Sequence, residues 1–403
     1  MSPAEYPFLP AWPPALTPLA WVAVLLLTAI VVGEAVRRWL RISRVVGYLL
    51  VGAALGPHAA GVLDADTLGT LRIFSDIAVG LLLFELGQRV DLGWLRRNPW
   101  LLVTSIFEAL LTLAAVYAVM RLLDVRPVTA AAAGLLAIAT SPAVVVTLVK
   151  DLRAQGQVTE RVLLFTALNT AYAVVGLALI VGWLHFESAR APIMIAHPLY
   201  LIAGSLILAA LLAAAMILIL RLFGRRPTFQ LAITVSFVLL TVAAASALDL
   251  SVPLTVLLTG MLGRIFDRDR HFVSLQFGST AMLFVVLLFA LAGAELNFHG
   301  WLAALPMALG FIAARYLGKL VPIMLLARPS SLTVRKASLV QLGLTPMSGL
   351  ALLLLHDLVR QAPFLAQDIA ASIYLAVAIL AFAGPLALQF ALVRAGETEE
   401  GGK

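Results

Sequence analysis

The sequence predicts an all-α polytopic membrane protein with about 13 transmembrane helices, and three observations lead there. First, 62% of the 403 residues are hydrophobic and only 12% are charged, with a mean hydropathy of +1.03. A soluble chain runs about 45–50% apolar and about 25% charged, so this one has too little polar surface to coat a water-soluble globule. Second, apolar windows of the length that crosses a bilayer core, about 20 residues, recur from end to end. Third, Lys and Arg gather in alternate loops. A soluble enzyme, a nucleic-acid-binding domain and a disordered chain are excluded. The formal charge of +7 is therefore topological in origin. With no Cys there is no disulfide, thiolate metal site or Cys nucleophile. The six scattered His have no zinc-ligand spacing. Glycine loops for nucleotides are absent, which argues against an ATP-driven pump. No catalytic triad is present, so neither an enzyme nor a cofactor is expected.

In chain order, residues 1–15 form a Pro-rich lead without the basic n-region of a signal peptide. The membrane domain occupies 16–396, and 397–403 is a short tail. Thirteen spans are predicted near 16–38, 45–63, 71–88, 99–123, 128–150, 161–185, 198–221, 228–248, 252–265, 276–297, 301–326, 336–356 and 369–393. Of 28 Lys and Arg, 21 fall on one side if the N-terminus is outside. The opposite loops hold only Arg72, Arg121, Arg126, Arg190 and Arg360, and two cations, Arg315 and Lys319, lie inside a span. Cytoplasmic loops keep the excess of Lys and Arg, which predicts an outside N-terminus and a cytoplasmic C-terminus. Trp39, Trp94, Trp100, Trp183 and Trp301 sit near span ends, as an interfacial belt would.

Two pairs of segments repeat at nearly the same offset, 206 and 204 residues. GQRVDL at Gly87 matches GAELNF at Gly293, each followed by Gly-Trp-Leu. Ser141-Pro142 in the fifth span matches Thr345-Pro346 in the twelfth, and both segments end in Asp-Leu. The matched spans are seven apart, so the two copies insert with opposite orientation. Such inverted repeats mark secondary transporters. Proline inside a helix removes a hydrogen bond and clashes with the preceding turn. In hydrocarbon, broken backbone survives only inside protein or beside a water-filled cavity. Here the breaks at Pro142 and Pro346 stand beside the hydroxyls of Thr140, Ser141, Thr345 and Ser348. Paired discontinuous helices point to an ion site near the midplane; packing kinks are the structural alternative.

These segments resemble a family. RVVGYLLVGAALGPHAAGVL from Arg44 and FSDIAVGLLLFELGQRVDL from Phe74 are similar to the second and third helices of bacterial monovalent cation:proton antiporters, of the sodium/hydrogen exchanger superfamily. LDLSVPLTVLLTGMLGRI from Leu248 resembles their ninth-helix region, and ARYLGKL from Ala314 their lysine-bearing eleventh helix. The resemblance implies a homodimer of thirteen-helix protomers. Each would have a core (about 99–185 and 301–393) with two crossed, broken helices, moving like an elevator against a dimerisation domain. The family's sixth helix carries an aspartate that binds cation and proton alternately. Here that stretch reads Leu168-Asn169-Thr170-Ala171, and no Asp or Glu occurs from Arg161 to Phe186. Met347-Ser348-Gly349 stands where many relatives have Arg-Gly-Glu. Lys319 remains at the position of the family's pairing lysine.

Ionisable groups inside a span are functional candidates because they are costly unless paired. Glu108 is the one charge in the interior of the fourth span, LLVTSIFEALLTLAAVYAV, a helix equivalent to the eleventh in the repeat. It is expected to pair with Lys319 or Arg315 and to replace the missing proton carrier, or else to form a purely structural ion pair. Arg315 and Lys319 share a helix face, with Arg315 read as nearer the end. Asn169 and Thr170 offer oxygen ligands to a dehydrated cation or bond across helices. Asp76 is a candidate funnel residue. Glu85 is expected to pair with Arg89, and Glu34 with Arg37 or Arg38. The function these residues imply is exchange of Na⁺ or K⁺ for protons across the bacterial inner membrane. A carrier for organic ions or without proton coupling, and a degenerate non-transporting homologue, are the alternatives.

Overall fold

A computed structural model describes residues 18–90, 92–188, 192–223, 227–267, 279–296, 301–347, 349–361 and 369–398. The predicted lead at 1–15, Ser348 and most of the tail lie outside these residues. The described elements are helical and include no strand. In order they are α1 (Pro18–Ala35), continued by a π-helical turn (Val36–Leu40), α2 (Arg44–Leu55), α3 (Ala65–Arg89), α4 (Leu92–Arg97), α5 (Pro99–Leu122), α6 (Pro127–Ile138), α7 (Pro142–Asp151) and α8 (Gln157–Ser188). They continue with α9 (Pro192–Phe223), α10 (Pro227–Ala247), α11 (Val252–Phe266), α12 (Ser279–Ala294), α13 (Trp301–Leu325), α14 (Val334–Gly343), α15 (Gly349–Gln361) and α16 (Ala370–Ala395).

Nine stretches of the described chain are long and apolar enough to cross a bilayer, and Arg44–Leu55, Val252–Phe266 and Leu283–Ala294 are shorter apolar helices. Three prolines sit where their missing N–H costs nothing. Pro99, Pro127 and Pro142 each open a helix at its first turn. Ser141 and Ser251 cap α7 and α11, each hydroxyl accepting from a backbone amide three residues on, at 3.4 Å. Asp64 caps α3 through Thr67 N at 2.8 Å. Trp39 is 81% exposed at the end of the first helical unit, consistent with an interfacial position.

The segment 127–151 differs from every other crossing stretch. It is 94% buried, against 22–56% for the remaining eight. Its two halves, α6 and α7, are separated by extended backbone at Ala139 and Ser141. The second broken segment, α14 and α15, is separated at Leu344–Met347 and touches the first, with Ser141 N donating to Pro346 O at 2.9 Å. Irregular backbone is thus enclosed by protein, as an apolar environment requires. α5 and α13 pack along each other, and α8 and α16 also adjoin these broken segments.

α5 is apolar outward and polar inward. Leu102, Val103, Ile106, Phe107 and Leu110 are exposed. Thr104, Ser105, Glu108 and Thr112 are buried at helical spacing on the opposite face. A helix in lipid turns its polar stripe into the protein. α13 answers with Arg315 and Lys319 on its own buried face. Gly318 lies between them and lets the two backbones meet: a Cβ there would stand 2.5 Å from Thr112 Cα.

One contact occurs twice elsewhere. A Cβ on Gly87 of α3 would collide with Leu257 O and lie 3.0 Å from Met261 N on α11. A Cβ on Gly293 of α12 would collide with Leu49 O and lie 3.0 Å from Ala53 N on α2. Close backbone approach through small residues is how membrane helices associate without a hydrophobic driving force.

Some expectations change. The second span ends at Leu55, short of residue 63, because Gly56-Pro57 breaks the helix although apolar residues continue. Glu34 pairs with Arg44 at 2.9 Å rather than with Arg37 or Arg38. Glu85 pairs with Arg89 at 3.2 Å as expected, and Lys150 of α7 joins the same carboxylate. Glu397, assigned to a free tail, is anchored. Its carboxylate accepts from Val158 N at 2.9 Å and from Thr159 N and Thr159 Oγ1 at 2.8 Å, capping α8.

Candidate functional site: a buried carboxylate between two helix breaks

The site is assembled from α5, α8, α13 and the two breaks. Glu108, Lys319 and Arg315 are 0%, 1% and 2% exposed. Lys319 Nζ donates to Glu108 Oε1 and, at 3.0 Å, to Ile138 O at the end of α6. Asn169 Nδ2 of α8 also reaches Glu108 Oε1, at 3.3 Å. Of the two partners the sequence offered to Glu108, the structure selects Lys319.

Arg315 does something else. Its guanidinium donates to Ala137 O, Ala139 O and Thr345 O at 3.0 Å, and to Leu344 O at 3.1 Å. These carbonyls end α6 and α14, where helices leave acceptors unsatisfied and the dipole is negative. The five N–H donors of guanidinium suit this fork-like task, and the group stays charged. Arg315 therefore sits at the centre of the site, and not nearer the end of its span as its place in the sequence suggested. Together Arg315 and Lys319 hold both breaks shut against each other.

Several oxygens around this cluster lack partners. Glu108 Oε2, Ser105 Oγ, Thr112 Oγ1, Asn169 Oδ1, Tyr172 OH, Thr140 Oγ1 and Thr345 Oγ1 are all buried without a hydrogen bond. Buried polar atoms are ordinarily satisfied, so this concentration marks a place built for something other than packing. Thr170 is different: its hydroxyl donates to Thr166 O at 2.8 Å within α8, and so makes a bond inside its own helix rather than the expected one across helices. Ser141 caps α7, and Pro142 and Pro346 stand at the breaks. Ser348 lies outside the described residues.

Asp76 is not part of this cluster. It lines a separate cavity of ≈ 620 Å³ with Arg72, Ser246, Asp249 and Ser251. Sequence reasoning missed Glu295, at the end of α12, which lies within electrostatic reach of Asp76 and Arg72. It also missed Ser105 and Tyr172. The signal for Ser105 was present in its spacing, three residues before Glu108 on one helix face. Among the described residues no group of His, Cys, Asp and Glu has the arrangement of a metal centre.

Comparison with known proteins places this geometry. The family model for the transmembrane sodium/hydrogen exchanger matches residues 23–394. The chain belongs to the sodium/hydrogen exchanger family. It is thus a multi-pass membrane transporter, not an enzyme. Two solved structures of the sodium proton antiporter MjNhaP1 from Methanocaldococcus jannaschii have the same fold. One, at pH 8, is 18% identical with a TM-score of 0.66, covering 93% of this chain and 95% of that one. The other, from an electron-microscopy map, is 17% identical with a TM-score of 0.73, covering 93% and 97%. A search of curated protein sequences gave no match.

Proposed function

We propose that this exchanger family member swaps a monovalent cation, Na⁺ or K⁺, for protons, with Glu108 as the exchanging carboxylate. The observation that carries the proposal is the buried Glu108–Lys319 pair, tied to the first helix break through Ile138 O. A bare charge in an apolar interior is too costly to persist. Glu108 therefore needs Lys319, a proton or a cation to balance it. Proton and cation compete for one carboxylate, and that competition is exchange. The carboxylate missing from 161–186 has in effect moved to α5, still facing the lysine.

The remaining parts of the reading follow from composition and packing. With nine long stretches and three shorter apolar helices among the described residues, counting the broken 334–361 segment as one more would give thirteen crossings. An odd count puts the ends on opposite sides, and the Lys and Arg bias puts the N-terminus outside and the C-terminus in the cytoplasm. The bacterial inner membrane is the proposed location. The Gly87 and Gly293 contacts pair equivalent helices in the two halves, which supports a duplicated, inverted unit. Segments 99–185 and 301–393 form the proposed core, and the rest a scaffold for dimerisation. Alternating access would be elevator-like movement of that core. A carrier of organic ions without proton coupling is the second reading, favoured by the absence of any carboxylate in the 161–186 stretch.

Purified protein in proteoliposomes with an imposed pH gradient tests the proposal. Na⁺, K⁺ or Li⁺ is added in turn, and Glu108→Gln is measured beside wild type. Cation-triggered dissipation in wild type that vanishes in the variant is the expected result. Dissipation that survives removes Glu108 from the mechanism, and none with any cation favours the second reading.

A further inference from the structure

The helix breaks are the first place to seek a cation's ligands, yet their carbonyls are taken. Ala137, Ala139, Leu344 and Thr345 accept from Arg315, and Ile138 accepts from Lys319. A cation entering there would meet two positive groups already seated on these carbonyls, with the hydroxyls of Thr140 and Thr345 left to it. The opposite side of Glu108 is different. Lys319 takes its Oε1, and its Oε2 is buried without a partner. Around it on α5 and α8 are three more buried oxygens: Asn169 Oδ1, which has no partner, and Ser105 Oγ and Tyr172 OH, which face each other. Ser105 and Glu108 are i,i+3 on α5, as Asn169 and Tyr172 are on α8, so each pair shares a face. The two faces are joined by the Asn169–Glu108 bond at 3.3 Å. They are also joined by Tyr172, whose side chain lies beside Ser105 and within reach of the Glu108 charge. Ser105, Glu108 and Asn169 are each 0% exposed.

We infer that the transported cation is held between α5 and α8 by Glu108 Oε2, Ser105 Oγ, Asn169 Oδ1 and Tyr172 OH, and not by the crossed helix breaks. The inference rests on the proposed exchange and adds its coordination shell. Four neutral or singly charged oxygens in a dry pocket suit a dehydrated alkali cation. A divalent ion is disfavoured, because hard divalent cations gather several carboxylates or waters and here a single carboxylate faces Lys319 and Arg315. The hydroxyls carry no charge, so they set affinity without changing the proton count.

The test uses the full chain in proteoliposomes, with Na⁺ and K⁺ as probes and exchange followed at a fixed pH gradient. Tyr172→Phe removes one oxygen and keeps the ring, and Ser105→Ala removes one small hydroxyl. Each is expected to raise the KM for the cation by about tenfold, the equivalent of one ligand contact, with kcat within about twofold. A second readout is thermal unfolding in detergent. The stabilisation that added Na⁺ or K⁺ gives wild type is expected to shrink in both variants, while their cation-free melting temperatures stay near wild type. Wild-type KM and wild-type cation stabilisation in both variants would overturn the inference and leave the exchange standing. So would a KM increase confined to Thr140→Val or Thr345→Val, which would place the cation at the breaks. Wild-type protein that moves no proton with any alkali cation would overturn the exchange itself, and this site with it.

Discussion

Replacing Arg315 by Leu removes the one side chain that bridges both helix breaks. Four carbonyls lose a donor at once: Ala137, Ala139 and Thr345 at 3.0 Å and Leu344 at 3.1 Å. A hydrogen bond involving a charged group contributes about 1.5–3 kcal/mol, and each carbonyl left dry costs about 1–3 kcal/mol. Two effects offset this. A guanidinium no longer has to be desolvated, at several kcal/mol, and water entering the vacated space can serve some of the carbonyls. The net expectation is the loss typical of breaking a buried charged network, about 3–5 kcal/mol. Each 1.4 kcal/mol is tenfold, so the unfolding constant should rise by roughly a hundred- to four-thousandfold. Reversible unfolding in mixed micelles, followed by tryptophan fluorescence, measures it. Arg315→Lys keeps the charge on a single nitrogen with three donors, which cannot serve four carbonyls, and should fall between Leu and wild type. Arg315→Leu within about 0.5 kcal/mol of wild type, the scale of a surface substitution, would refute the bridging role.

Three further outcomes follow from the packing. Glu108→Gln and Lys319→Met should each cost about 3 kcal/mol or more, yet the double variant should lie near wild type, because a buried pair removed together strands no charge; additive losses in a double-mutant cycle would contradict the pairing. Glu397→Gln removes a charged cap from α8 and should cost about 1–2 kcal/mol, read as faster hydrogen exchange at the Val158 and Thr159 amides; unchanged protection would show that the carboxylate does not hold them. Gly318→Val should force α13 off Thr112, at about 1–3 kcal/mol, and slow exchange by parting Glu108 from Lys319. By contrast, Gly69→Ala in α3, with nothing within 4 Å of the added methyl, should stabilise by about 0.5–1 kcal/mol; a thermal shift assay on the pair separates the two cases.

Much of this molecule was legible from local chemistry. Hydropathy placed the helices, and Pro142 and Pro346 placed both breaks through the hydroxyls beside them, Ser141 and Thr345, whereas Pro198, Pro306, Pro322 and Pro385 lie inside unbroken helices. Glu108 and Lys319 could be paired from the repeat offset, since equivalent helices bring equivalent depths together. The misses have a common cause. Arg315 acts on backbone carbonyls, and every residue has one, so no side-chain pattern announces the acceptors. Tyr172 matters through the direction its ring takes from α8, which spacing along the chain does not encode. Glu397 finds its partners in the α8 amides more than two hundred residues earlier. The end of α2 was misplaced because apolar composition runs on through Val62 and Leu63, while backbone geometry at Gly56-Pro57 does not.

The solitary Glu108 has an energetic consequence at the scale of the cell. In the proposed exchange a single carboxylate takes either one proton or one alkali cation and trades them one for one, with Arg315 and Lys319 adding the same fixed charge to both loaded forms. The membrane potential then cancels from the cycle and cannot drive it. Only the pH difference remains as a source, and one pH unit, about 1.4 kcal/mol, can sustain at most about a tenfold cation gradient.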